Sequence, residues 1–186
     1  MVYSIAEFGL RNQRVELTRN MIMAAPKPPT LEDLLKVLNE EIAQPNPKFV
    51  ELLRVLFSGG QESDAAFSYL MAQANEFFNE LIIVFQPVSE EMSQRDHNSY
   101  NWYYHALLDL ISSASSPKVL SILYRELSNA HPEARNIAIG ILMRKGNRNK
   151  EARKILWNAR TLEFSTSEET HQFREAIRKA LRGDNE

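Results

Sequence analysis

Residues 144–160 read RKGNRNKEARKILWNAR and hold seven basic side chains, one acid (Glu151) and one tryptophan (Trp157). Cations at this density neutralise phosphates or carboxylates, and a tryptophan among them can stack on a base or anchor a protein interface. At the helical step of about 100° per residue, Ala152, Ile155, Leu156 and Ala159 point one way. Trp157 lies well off that direction, on the side of Lys150, Arg153 and Lys154, and Arg160 adds a further cation. Arg153 and Trp157 are i, i+4 neighbours, the spacing of a cation–π contact. A structural reading competes with this one. Tyr124 takes the equivalent place one repeat earlier, so an aromatic there can wedge between successive units.

A second constellation is Trp102, His105 and Asp109, which share the polar side of a helix beginning near Asn101. A carboxylate four residues from an imidazole can orient it for proton transfer. No serine or cysteine nucleophile is tied to the pair by motif. The other histidines, His97, His131 and His171, lie neither three nor four residues from one another, and there is no His-Glu-x-x-His. Capping or turn roles near helix starts account for His131 and His171. The chain has no cysteine, which removes disulfide frameworks, thiolate metal sites and thiol catalysis together. Phosphate-loop and dinucleotide glycine patterns are absent, and Gly59–Gly60 marks a helix stop. Neither a metal nor another cofactor is called for.

The elements that position these residues are legible from their punctuation. A first helix is expected over residues 5–23. Thr30 then heads a second as N-cap, with Asp33 completing a capping box. Asn46–Pro47 restarts the chain as cap and first helical residue. A long helix is expected over residues 64–85, ended by Pro87, with residues 89–99 as a polar connection holding one helical turn. No strand alternation or hairpin turn competes. Further helices are expected to start near Asn101, Ser116–Pro117, Pro132, Asn149 and Ser167.

The second half of the chain repeats. Tyr103, Ala106, Leu107, Leu110 and Ile111 share the i, i+3, i+4, i+7, i+8 spacing with Ala134, Ile137, Ala138, Ile141 and Leu142, and with Phe173, Ala176, Ile177, Ala180 and Leu181. Between them, Val119, Ile122, Leu123 and Tyr124 match Ala152, Ile155, Leu156 and Trp157 at an offset of 33 residues. Two helices per unit, at a period of about 30–40 residues, is the mark of an α-solenoid.

Within that pattern HPEARNIAIGILMRKGN resembles the first helix of a HEAT-like repeat, through Pro132, Arg135, Ala138 and Leu142, and KEARKILWNAR resembles its partner helix. The resemblance is fullest over residues 131–161 and extends in part to 99–129, where YNWYYHALL lacks the Pro and the Ala. It implies a right-handed α-α superhelix whose second helices line a concave side, and it implies binding rather than a chemistry. The fold expected is a single all-α domain of about nine helices over residues 1–186. Residues 1–88 form four of them, and HEAT-like pairs occupy 99–182.

Charge is uneven: residues 1–100 carry 8 Lys/Arg against 14 Asp/Glu, and residues 101–186 carry 14 against 10. The longest apolar run, LIIVF at residues 81–85, is far too short to span a membrane. The N-terminal stretch has no basic start followed by an apolar core, so no signal peptide is expected. The expectation is a soluble, cytoplasmic, non-enzymatic protein-binding module. It would act as an adaptor or inhibitor through Trp157, Lys150, Arg153, Lys154, Arg160, Trp102, His105 and Asp109. A bacterial immunity protein neutralising a toxin or nuclease is one form of it. The alternative is nucleic-acid binding through residues 144–160. HEAT-like alkylpurine DNA glycosylases hold duplex DNA in a basic concavity with aromatic and acidic residues at the lesion. Trp102, Asp109 and Trp157 are the right types but do not match that motif position by position. The overall charge of −2 also opposes the wrapping of a duplex. An enzyme built on His105 and Asp109 is the third class.

Overall fold

The computed structural model describes residues 29–94, 102–147 and 149–182. Nine α-helices and no strands occur among them: α1 (Leu31–Glu41), α2 (Pro47–Ser58), α3 (Gln61–Ala72), α4 (Phe78–Gln94), α5 (Trp102–Ser113), α6 (Lys118–Glu126), α7 (Pro132–Gly146), α8 (Lys150–Ala159) and α9 (Ser167–Arg182). The helix expected over residues 5–23 lies outside the described residues, as does His97.

The caps follow their chemistry. Asp33 N–H donates to the Thr30 hydroxyl at 3.3 Å, and the Asp33 carboxylate accepts from Thr30 N–H at 2.9 Å. Asn46 Oδ1 accepts from Lys48 N–H at 3.0 Å ahead of Pro47. His131 caps α7 with Nδ1, which accepts from Glu133 N–H at 3.3 Å. Gly59 and Gly60 end α2 with φ of 74° and 89°, where a side chain would crowd the following carbonyl.

The long helix expected over residues 64–85 is two helices. The chain turns at residues 73–77, where Asn75 Oδ1 accepts from the backbone N–H of Ser115 at 2.7 Å. That bond pins the turn to the connection between α5 and α6. It needs a bend that an unbroken helix cannot supply. Pro87 does not end α4 but lies inside it. An interior proline costs about 3 kcal/mol or more. The turns beyond it bury Val88 and Met92 completely, at about 1.5–3 kcal/mol per large apolar side chain. Burial outweighs the proline, so residues expected to form a polar connection continue the helix to Gln94.

Helix α1 packs on α2 and α4, α3 on α2 and α5, and α4 on α5. Helix α5 packs on α7, and α7 on α9, while α6 packs on α8 and both of these cover α7. One continuous apolar core runs through all nine helices. The expected stripe of α5 holds at Ala106, Leu107, Leu110 and Ile111 and is widened by Tyr104 and Leu108. Tyr104 is fully buried, whereas Tyr103 is half-buried and stacks on Phe57 of α2 with ring centroids 4.0 Å apart.

A buried polar chain threads this core. Glu126 is 1% exposed. Its Oε2 accepts from the Ser89 hydroxyl at 2.8 Å, the Tyr104 hydroxyl at 2.9 Å and Asn129 Nδ2 at 3.1 Å. Its Oε1 accepts from Arg125 Nε at 3.0 Å. Burial, and then the Glu126 charge, push the Tyr104 phenol well above its ordinary value of 10.0. The backbone carbonyl of Asn129 accepts from Arg135 Nη1 at 2.8 Å, and that of Ala130 from the same nitrogen at 2.9 Å. Arg135, 3% exposed, pairs through Nη2 with Glu169 of α9 and lies 3.9 Å over the Phe164 ring. The chain thus joins α4, α5, α6, α7 and α9.

Candidate functional site

Helix α8 is short and strongly two-faced. Asn149 caps it, with Oδ1 accepting from Glu151 N–H at 2.9 Å and Ala152 N–H at 3.3 Å. Ala152, Leu156 and Ala159 are buried. Their spacing leaves Lys150, Arg153, Lys154 and Trp157 on the opposite side, and all four are exposed. Trp157 is 56% exposed, so it does not wedge between units. Its partner is also not the one expected. Arg160, rather than Arg153, lies over the indole, with Cζ 3.4 Å from the ring centroid.

The end of α8 explains that choice. Arg160 follows the helix as its C-cap residue, and its Nε donates to the Trp157 carbonyl at 3.0 Å, which lays the guanidinium back across the ring. The Arg160 carbonyl accepts in turn from Arg174 Nε of α9 at 3.1 Å. Arg153 instead reaches across to α9, where Nη2 donates to the Leu181 carbonyl at 3.1 Å. Two arginines therefore tie α8 to α9, one at each end of the same surface.

Between the helices lies an open groove of about 510 Å³. Lys150, Arg153, Lys154, Trp157 and Arg160 line it from the α8 side; Arg178, Leu181 and Arg182 line it from α9. Six cations and no carboxylate surround one exposed indole and one leucine. Lys154 and Arg178 each have an acidic neighbour on their own helix, Glu151 at 4.0 Å and Glu175, and neither acid lines the groove. The field inside is of one sign, over a floor of apolar carbon from Trp157, Leu181 and the stems of the long cations.

All five α8-side residues of the groove were legible in sequence. The α9 side was missed. The spacing of α9 places Leu181 in its packing stripe, and Arg178 and Arg182 contribute to the positive balance of the second half without marking a site. The spacing within each helix was readable; which helix would lie beside α8 was not.

Trp102, His105 and Asp109 do not line this groove. Trp102 is 43% exposed and meets the Tyr103 ring edge-on at 5.3 Å. His105 Nε2 lies 3.4 Å from Asp109 Oδ2. The other carboxylate oxygen of Asp109 accepts from Arg144 Nη2 of α7 at 3.1 Å. Asp109 thus bridges its own helix to α7. The nearby Ser112 and Ser113 hydroxyls both donate to the Asp109 backbone carbonyl, so neither is aimed at the imidazole as a nucleophile would be. Of the remaining basic residues of the segment, Lys145 is half-buried and burial lowers its pKa, while Arg148 lies outside the described residues. Among the described residues there is no group of three His, Asp or Glu placed to hold a metal ion, and no helix long and apolar enough to cross a membrane. Comparison of the chain with protein-family models, curated proteins and solved structures gives no match.

Proposed function

We propose that this protein is a non-enzymatic, HEAT-like protein-binding module, an adaptor or inhibitor that takes an acidic surface of its partner into the α8/α9 groove. The observation that carries this reading is the groove itself: an exposed tryptophan backed by an arginine, on an apolar floor, inside a carboxylate-free ring of cations. Tryptophan and arginine dominate protein hot spots because they combine large apolar area with directed polar contacts. Cations held against apolar carbon gain more from a carboxylate than cations in open water do. The pairwise packing of α5, α7 and α9, with α6 and α8 over them, supports a short superhelical stack. An inhibitor of the toxin-immunity type would work by occlusion, which needs shape and charge but no catalytic group.

The test is affinity capture with the full chain, comparing wild type with Trp157→Ala and Arg160→Glu, followed by calorimetric titration of the purified capture. One protein should be depleted at least tenfold from both variant captures and should bind the wild type directly. Identical captures from all three would sink the reading.

The cation ring also supports phosphate binding as a second reading. Six phosphate contacts would give a log–log salt slope of about −5 on duplex DNA. A slope near zero, or no binding at low salt, removes it.

A further inference from the structure

Tyr124 of α6 and Trp157 of α8 stand 33 residues apart at equivalent positions of the repeat. Both are exposed, Tyr124 at 45%. Each helix buries the same repeat positions, Val119 and Leu123 in one, Ala152 and Leu156 in the other. The two rings therefore leave their helices on the same side. Helices α6 and α8 pack against each other, and packed helices lie about 8–10 Å apart. Large rings exposed at that interval do nothing for the packing of the domain.

The charge around them is one-sided as well. Lys118, Arg153 and Lys154 are exposed on these two helices, and the one exposed carboxylate is Glu151, on α8. Glu126 is spent in the buried polar chain.

We propose that α6 and α8 together seat an acidic amphipathic helix of the partner, which crosses both and sets one apolar side chain on Tyr124 and another on Trp157. Side chains seven residues apart share a helix face and lie about 10.5 Å apart, close to the spacing of about 8–10 Å between two packed helices. Carboxylates flanking that stripe meet Lys154 and Arg160. The inference rests on the reading above, that the Trp157 groove binds a protein. It adds the second anchor and the form of the bound element.

The test uses the full chain and three fluorescein-labelled probes. The first is a glutamate-rich helical peptide with leucines at i, i+3 and i+7. The second has the same composition with leucines that never share a face. The third is a short single-stranded DNA. Fluorescence anisotropy is followed to millimolar protein, with circular dichroism as the check that each variant folds. The in-register peptide should bind at least tenfold tighter than the scrambled one. Tyr124→Ala and Trp157→Ala should each weaken it about tenfold. Loss with Trp157→Ala but none with Tyr124→Ala overturns the two-helix footprint and leaves the groove reading standing. Equal binding of the two peptides overturns the amphipathic helix. Insensitivity to both variants overturns the footprint and the groove together. Tighter binding of the DNA than of either peptide transfers the face to nucleic acid. Self-association in sedimentation that Trp157→Ala abolishes transfers it to a second copy.

Discussion

Glu126→Gln changes the shape of one buried side chain hardly at all and should still cost the fold about 3 kcal/mol. Oε2 accepts from three donors and Oε1 from a fourth. A glutamine offers one acceptor oxygen with two lone pairs and one NH2 that only donates. Placed where Oε2 was, the amide oxygen serves two of the three donors well and leaves one unmatched, at about 1–3 kcal/mol. The NH2 then faces Arg125 Nε, donor against donor. The remaining bonds lose their charge, about 1 kcal/mol each. Relief from burying a charge offsets part of the loss, leaving about 2–4 kcal/mol. Urea denaturation followed by circular dichroism reads this directly. The midpoint of thermal unfolding should fall by about 6–12 °C for a chain of this size. Combining Glu126→Leu with Tyr104→Phe and Ser89→Ala should recover part of the loss, because both buried hydroxyl donors are then removed and Asn129 Nδ2 is the one buried donor left without its acceptor. A change under about 0.5 kcal/mol for Glu126→Gln, or a triple variant weaker than Glu126→Leu alone, would refute the reasoning.

Arg135→Ala removes the partner of half-buried Glu169 and the donor of two carbonyls, and should destabilise by about 2–3 kcal/mol in the same assay. Trp157→Ala, at an exposed position, should change stability by less than about 0.5 kcal/mol while abolishing partner capture. Tyr104 has a folded pKa above its unfolded value of about 10. The stability it contributes is therefore complete below pH 10 and lost as pH rises above it. Wild type should lose stability faster than Tyr104→Phe across that alkaline range, measured by urea midpoints. Lys145 has the opposite sign. Burial lowers its folded pKa, so its charged form opposes folding at neutral pH and the opposition fades toward alkaline pH. Lys145→Met should raise the urea midpoint at pH 7 and make less difference as pH approaches the ordinary lysine value.

What the sequence displayed was local. Caps at Thr30, Asn46 and Asn149, stops at Gly59 and Pro132 as a first helical residue are decided within four residues of themselves, and the spacing of the apolar stripes is decided within one helix. The two-faced character of α8 followed from the same arithmetic. What it hid was every feature that depends on a distant neighbour. The bend at residues 73–77 answers to Ser115, and the passage of α4 through Pro87 answers to the burial of Val88 and Met92. Arg160 replaced Arg153 over the indole because Arg153 had a carbonyl to reach on α9. Glu126 reads in the sequence as one more surface acid, since nothing within its own helix announces that Ser89 and Tyr104 converge on it.

Stacks of near-identical helix pairs are ordinarily interchangeable: a pair can be lost, copied or shifted along, because each apolar face accepts almost any other. The chain of polar contacts from Ser89 through Glu126, Asn129 and Arg135 to Glu169 forbids this. The bonds from Ser89 and Tyr104 to Glu126 and from Arg135 to Glu169 each join different helices, and sliding would leave buried Glu126 or Arg135 without its partner. Excising α6 and α7 as a unit, or inserting a second copy of it, would break links on both sides of the cut. The second half of the chain repeats its apolar spacing in sequence, yet the polar chain makes the helices it joins indivisible, so the surface they present should keep a fixed length.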